Sequence, residues 1–226
     1  MLAICAREWG RSRAHFSILS LKRPPKTQFL ISEQPFIDDA RNKVVMQFLE
    51  TDCTHLLFVD DDHFFVPSQK DAIVKLLAHD KDIVSGLYYN RGPPHFPVIL
   101  YLHHEKPLPK FDYRYKSEAD YPKNQLLPVD ATGAGFLMIK RHVLEKIKPP
   151  WFLKTVWAGE DVFFFVKAKH HGFQAYIDTS VTPLHFIDDV VGPLDCIREY
   201  YEIVHKANLV SVTPREWKVK EDGSTT

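Results

Sequence analysis

One short segment, residues 56–63, constrains the fold more than any other part of this chain. Its apolar run, 56–59, is four residues long and lies between polar residues, which is typical of a strand buried on both faces of a parallel sheet. Three carboxylates, Asp60, Asp61 and Asp62, follow immediately. Like charges this close repel one another unless a cation or hydrogen-bond donors offset the repulsion. The segment therefore predicts a central strand that ends in a functional or a solvated acidic turn.

Both interpretations of the acidic turn stay open on these residues alone. In open α/β sheets, ligands collect at the carboxyl ends of the strands. A hard divalent cation with oxygen ligands, bridging to a phosphate, would fit that position. A solvated acidic turn explains the same three residues equally well.

Composition narrows the class of protein. The chain has 226 residues, of which 45% are hydrophobic, so it predicts one sizeable globular domain. Its net charge of zero argues against broad electrostatic binding to nucleic acid. Cys5, Cys53 and Cys196 are far apart and odd in number, which favours reduced thiols in a cytoplasmic protein over a disulfide framework. No apolar run reaches the ~20 residues that span a bilayer, so we expect no stable membrane insertion.

The order of predicted elements indicates an α/β fold. Strands at 2–6, 29–32, 56–59 and 82–88 alternate with helices at 37–50 and 68–77. After a proline-rich segment, 90–128, a glycine turn leads into a strand ending near residue 139, followed by helices at 141–147 and 160–171 and a strand at 175–178. We therefore predict a single domain with a mostly parallel central sheet flanked by helices.

Three further motifs are weak when taken singly. Two glycines in the run Gly133, Ala134 and Gly135 would let a backbone approach a ligand closely, although the run is neither a P-loop nor a dinucleotide fingerprint. An acidic pair at residues 160–161 opens a helix, where carboxylates often only complement the helix dipole. Arg7 begins an arginine-rich loop after the first strand, and guanidinium groups match phosphate oxygens.

Taken in chain order, these motifs resemble those of the GT-A fold glycosyltransferases, particularly family 2-like enzymes that use nucleotide-sugar donors. The matching motifs are Ala40-Arg41-Asn42, the Asp-x-Asp-like 60–62, the glycine loop 130–136, the Glu-Asp motif at 159–161 and His185. The resemblance runs from about residue 2 to residue 186. It implies a GT-A, Rossmann-like fold and an enzyme of the hexosyltransferase type.

The resemblance also assigns roles to particular residues. It implies that Asp60, Asp62 and His185 bind Mn²⁺ or Mg²⁺. It implies that Asp161 accepts the proton of the acceptor hydroxyl as the sugar is transferred with inversion, with Glu160 as the alternative base.

Expected donor-binding residues come from several parts of the chain: Arg7, Glu33, Arg41, Asp60, Asp61, Gly133, Ala134 and Gly135. We expect a UDP-sugar donor. The nucleobase of the donor stays open, because the first two strands end in residues that differ from the family's Pro-Thr-Tyr-like and Asp-Asp-Gly-Ser patterns. The expected domain is 1–210, with a nucleotide-binding half at 1–90, a long loop region at 91–128, an acceptor and catalytic half at 129–190, and a tail at 211–226.

Two other functions fit the same residues. A metal-dependent phosphohydrolase or nuclease could use the carboxylates together with His185. A non-catalytic relative could bind glycans or nucleotides only. The acceptor is open between a glycan, a lipid-linked sugar, a protein and a modified nucleobase, so a nucleic-acid acceptor is among the alternatives.

Overall fold

The computed structural model describes residues 1–6, 12–103, 110–186 and 190–206. Within these ranges the strands are β1 (Leu2–Ala6), β2 (Phe29–Glu33), β3 (His55–Asp60), β4 (His63–Phe64), β5 (Ile83–Gly86), β6 (Leu100–His103), β7 (Lys110–Tyr113), β8 (Leu126–Val129), β9 (Phe136–Lys140), β10 (Ala175–Asp178), β11 (Leu184–Phe186) and β12 (Val190–Val191). The helices are α1 (Ser12–Ser20), α2 (Ile37–Leu49), α3 (Ala72–Ala78), α4 (Arg141–Lys146), α5 (Glu160–His170) and α6 (Leu194–Lys206), with a 3₁₀ turn at Pro67–Gln69.

A central sheet organises the described part of the chain, with the strand order β2-β1-β3-β9-β5-β10-β8. Parallel pairing joins β2 to β1, β1 to β3 and β5 to β10. Strand β9 is antiparallel to both β3 and β5, and β8 is antiparallel to β10. Five of the seven strands therefore run in one direction, and the predicted α/β class with a mostly parallel sheet is confirmed.

Helices cover both faces of this sheet. Successive residues of β3 point to opposite faces, so Phe58 packs in one core cluster with Phe48 of α2, whereas Val59 packs in the other with Ile18 of α1. All four side chains are fully buried. Burying each contributes about 1.5–3 kcal/mol, which explains why the central strand is a continuous apolar run.

Two regions differ from the expectation. The region 91–128, expected as a long loop, contains β6 and β7, which pair with each other antiparallel, and the sheet-edge strand β8. Each of these strands has only four residues, which is too short for an alternating apolar and polar pattern to predict them. Helix α1 was not predicted, because Ala14 and Ile18 are its only buried apolar residues and Phe16 is exposed.

A smaller antiparallel sheet, with the order β12-β11-β4, lies beside the end of β3. Its register places His185 of β11 directly opposite His63 of β4. The three cysteines are free, with Cys5 and Cys196 buried and Cys53 half-buried. Among the helices of the described ranges, none is long and apolar enough to cross a membrane.

Candidate active site

A cleft of about 590 Å³ opens at the carboxyl ends of β1, β3 and β5. This is the edge at which ligands bind in open α/β sheets. The residues that line it include Ala6, Arg41, Asp60, Asp61, Asp62, Tyr88, Arg91, Gly133, Ala134, Glu160, Asp161 and His185. Residues from each of the five motifs that carry the resemblance thus meet in one cavity.

Arg41 forms the floor of this cleft. Its Nη2 donates to Asp60 Oδ1 and its Nη1 to Glu160 Oε1, both at 2.9 Å. The guanidinium is almost fully buried between the rings of Phe58 and Phe152, and its central carbon lies 5.9 Å from each ring centroid. Burial alone would lower the pKa of Arg41, but the two carboxylates raise it well above its ordinary value, so the group stays charged. One cation therefore joins the end of β3 to the start of α5.

Asp62, His63 and His185 form a second cluster, in which one ligand atom from each residue lies within 4.8 Å of the others. The pairing of β4 with β11 brings the two imidazole rings together, with their centroids 4.8 Å apart. His185 Nδ1 donates to the carbonyl of Tyr89 at 2.8 Å, and His185 Nε2 lies 3.3 Å from Asp62 Oδ2. The Tyr89 contact fixes the ring and directs Nε2 toward the carboxylate.

Several polar atoms of this cluster are buried without a partner in the described structure. They are Asp62 Oδ1 and both ring nitrogens of His63. Burial, with the neighbouring His185, lowers the pKa of His63 to about 4, so its ring is neutral at pH 7. Burial alone would raise the pKa of Asp62, but the hydrogen bond with His185 and nearby positive groups lower it. A carboxylate beside two imidazoles is a donor set that fits a divalent cation.

Asp161 faces the same cleft from the first turn of α5. Its Oδ1 accepts the N–H of Val162 at 2.7 Å. Burial and the adjacent charge of Glu160 raise the pKa of Asp161 to about 6, against a lowering by Arg41. A carboxylate of this basicity is ionised at neutral pH and can accept a proton better than an ordinary aspartate.

The glycine turn is shaped by side chains. The Gly135 N–H donates to Tyr88 Oη at 3.0 Å, and the Gly135 carbonyl accepts the N–H of Asp60 at 2.8 Å. A Cβ at Gly133 would lie 1.8 Å from Tyr88 Oη, and one at Gly135 would lie 2.3 Å from His63 Cε1. Neither position can hold a side chain without moving a buried ring.

The structure places the remaining predicted residues as follows. Asp61 and Ala134 line the cleft, and Glu33 is exposed at the end of β2, outside the described residues that line it. Arg7 lies outside the described residues. Three residues at the site were missed by sequence reasoning: His63, Tyr88 and Arg91, whose Nη1 lies 3.2 Å from Asp62 Oδ2. Only His63 gave a signal, because it directly follows the acidic run.

No protein-family model and no curated protein sequence matches this chain. A solved structure of A197 from STIV is similar to it, with 25% sequence identity over 83% of this chain and 86% of that one, and a TM-score of 0.56. GalNAc-T7, solved with UDP, GalNAc and Mn²⁺, is 12% identical and has a TM-score of 0.51, covering 79% of this chain and 42% of its own.

The chain thus spans less than half the length of GalNAc-T7. A third structure, CMP:2-keto-3-deoxy-manno-octonic acid synthetase with CTP, is 9% identical with a TM-score of 0.51, over 92% of this chain and 98% of that one. These likenesses agree with the expected GT-A, Rossmann-like fold. The finer assignment to family 2-like enzymes stays a prediction.

Proposed function

We propose that this chain is a glycosyltransferase of the family 2-like, hexosyltransferase type, which moves a sugar from a nucleotide-diphosphate sugar to an acceptor hydroxyl with inversion. The observation that carries the proposal is the pairing of two features in one cleft. One is a carboxylate, Asp161, with a pKa raised to about 6. The other is the Asp62, His63 and His185 cluster with its unpartnered donor atoms. Glycosyl transfer needs a base on one side of the sugar and charge stabilisation of a departing diphosphate on the other.

The donor side of the cleft is the acidic turn. A UDP-sugar is the proposed donor, in contact with Asp61, Gly133 and Ala134, which line the cleft. Mn²⁺ or Mg²⁺ bound at Asp62 and His185 would stabilise the negative charge of the departing nucleoside diphosphate. We assign Asp60 to the ribose or to a water near the cation, because its Oδ1 already accepts a hydrogen bond from Arg41.

The acceptor side is the start of α5. Asp161 is the proposed base, which takes the proton from the acceptor hydroxyl as that oxygen attacks the anomeric carbon. Its neighbour Glu160 is a weaker candidate, since it accepts a charge-assisted hydrogen bond from the buried Arg41. An attack from this side, opposite the leaving diphosphate, inverts the anomeric centre.

The fold likeness to GalNAc-T7, which was solved with UDP and Mn²⁺, supports a nucleotide donor. The rival functions predict different products. A phosphohydrolase or nuclease would release phosphate or cut a strand without an acceptor sugar, and a non-catalytic relative would bind nucleotide without turnover. The acceptor is proposed only as a hydroxyl compound, whether glycan, lipid-linked sugar, protein or modified nucleobase.

The test combines ligand binding with turnover. Parent protein is screened by thermal shift against nucleoside diphosphates and nucleotide sugars with and without Mn²⁺, and a ligand at about 100 times its Kd adds roughly 2.7 kcal/mol of stability. Release of nucleoside diphosphate is then measured in the parent, Asp161→Asn and Glu160→Gln. We expect donor affinity to persist in Asp161→Asn while turnover falls by about 10²–10⁴-fold.

Two outcomes would contradict the proposal. One is the absence of any Mn²⁺-dependent shift with every nucleoside diphosphate, which would remove the donor site. The other is full turnover in both variants, which would remove base catalysis by this pair. A dead Glu160→Gln beside an active Asp161→Asn would move the base by one residue.

A further inference from the structure

The imidazole of His63 is the least explained polar group in the described structure. It has no exposed surface, and neither ring nitrogen makes a hydrogen bond. Burying a polar group without a partner is unfavourable, so such groups are rare unless a ligand completes them. The adjacent Asp62 Oδ1 is buried without a partner as well.

Local structure holds this ring against the cation cluster. His63 begins β4, and the register of β4 with β11 sets it opposite His185. Tyr88 packs edge-on against the His63 ring, with the centroids 4.5 Å apart, and Gly135 leaves room for its Cε1. The ring is thus positioned from three sides.

We propose that the cation site of this chain consists of Asp62, His63 and His185, so that His63 takes the place that an Asp-x-Asp motif would give to Asp60. Asp60 already serves as a partner of the buried Arg41. This inference rests on the proposed function, because it specifies the cation site of the same cleft.

The ligand set has two consequences. Two imidazoles and one carboxylate favour Co²⁺ and Zn²⁺ most, and Mn²⁺ to a smaller degree, over Mg²⁺ and Ca²⁺, which prefer all-oxygen ligands. Three protein ligands also allow the cation to bind before any nucleotide arrives, whereas a site with fewer protein ligands would rely on the phosphates of the donor.

The positive charge of Arg91 opposes the binding of a cation at this site. Its guanidinium lies beside the same Asp62 oxygen that faces His185, and its side chain is about half exposed. An incoming cation must compete with this positive charge. Removing the charge should therefore raise the affinity for a divalent cation by about thirtyfold, the effect of one unit charge on a double charge some 4 Å away in water.

The direct experiment counts the histidine ligands in the parent protein. Mn²⁺ alone is added to nucleotide-free protein labelled with ¹⁵N-histidine, and binding is followed from the loss of the free-ion EPR signal. Pulsed EPR should then detect two histidine nitrogens. One nitrogen, or no binding until a nucleoside diphosphate is added, would overturn the proposal. A parallel titration with Mg²⁺ should show much weaker binding.

Variants give an independent measurement. His63→Asn should weaken Mn²⁺ binding by at least about 10–100-fold, the range already caused by loss of a ligand's outer partners. Because this residue is buried, circular dichroism must show a folded variant. If that variant does not fold, Arg91→Gln on the surface replaces it. Lys154→Gln is the matched control, since Lys154 lines the same cleft with its backbone N–H donating to Asp38 on α2, whereas Arg91 lies beside Asp62. Equal Mn²⁺ affinity in Arg91→Gln and the control would refute the site.

The outcome stays separate from that of the proposed function. Two histidine ligands for Mn²⁺ without any effect of nucleotide sugars would retain this site and reject the glycosyltransferase. Sugar transfer with a single histidine ligand would retain the glycosyltransferase and reject this cation site.

Discussion

Substituting Asp161 by Asn should stabilise the folded protein at neutral and alkaline pH. The pKa of this carboxyl is raised from 3.8 to about 6, first by burial and then by the charge of Glu160. An acid whose pKa is raised by folding is more easily protonated in the folded state than in the unfolded one. The ionised group therefore opposes folding above about pH 6, and this penalty fades as the pH falls toward the unfolded value.

The size of the effect follows from the shift. A change of about two pKa units corresponds to about 2–3 kcal/mol, because one unit equals about 1.4 kcal/mol. Asn keeps the shape of the side chain and the oxygen that accepts the Val162 N–H, so the substitution removes chiefly the charge. For a chain of this length, each kcal/mol raises Tm by about 2–4 °C, which gives a gain of about 4–12 °C.

The assay is thermal unfolding of metal-free, nucleotide-free protein at several pH values. We expect the full gain in Tm at about pH 8, roughly half of it at about pH 5 and little at about pH 4, as the parent carboxyl becomes protonated. Asp112→Asn is the matched control, because Asp112 is exposed and its pKa is lowered by Lys116, so no gain in Tm is expected. A variant that is less stable than the parent at about pH 8, or equally stable at all pH values, would refute the assigned pKa.

Three other predictions follow from the same geometry. The value of kcat/KM should fall tenfold per pH unit below about pH 6, measured with buffers of constant ionic strength, because Asp161 must be ionised to accept a proton; a flat profile would argue against it. Gly135→Ala should cost about 1–3 kcal/mol in urea unfolding and weaken Mn²⁺ binding, since the new Cβ would meet the His63 ring; unchanged values would contradict the packing. Arg41→Met should destabilise the fold by about 3–5 kcal/mol, because it leaves two carboxylates without their buried cation; a loss below about 1 kcal/mol would show that the pair is solvated.

The sequence predicted those parts of the fold that have long or uninterrupted patterns. The apolar run of β3 and the stripe of α2 are dictated by burial, and both were found within a residue or two. The four-residue strands β6, β7 and β8 were missed, because their pairing depends on partners far along the chain rather than on local pattern. Helix α1 was missed because it buries only two apolar side chains, Ala14 and Ile18, which make no helical stripe.

The site divides in a similar way. The resemblance implied that Asp62, Asp161 and His185 belong to one site, and all three line the same cleft. It gave no role to His63, although that residue directly follows the acidic run, because its place opposite His185 depends on the register of β4 against β11. The sequence also did not predict that the two glycines make room for Tyr88 and His63. A glycine turn has the same sequence pattern whether a ligand or a buried ring lies against it.

Arg41 explains how two adjacent acids can have different tasks. Glu160 and Asp161 are neighbours at the start of α5, but only Glu160 accepts a hydrogen bond from the buried guanidinium, which also holds Asp60 on β3. The charge of Glu160 is thus offset, and it still raises the pKa of Asp161 at close range. Because the Arg41 guanidinium anchors α5 to the end of β3, it also fixes the distance between the proposed base, Asp161, and the acidic turn. Arg41→Lys keeps the charge but cannot bridge both carboxylates with a planar fork. It should therefore raise the activation free energy, measured from kcat, by more than it lowers the free energy of unfolding.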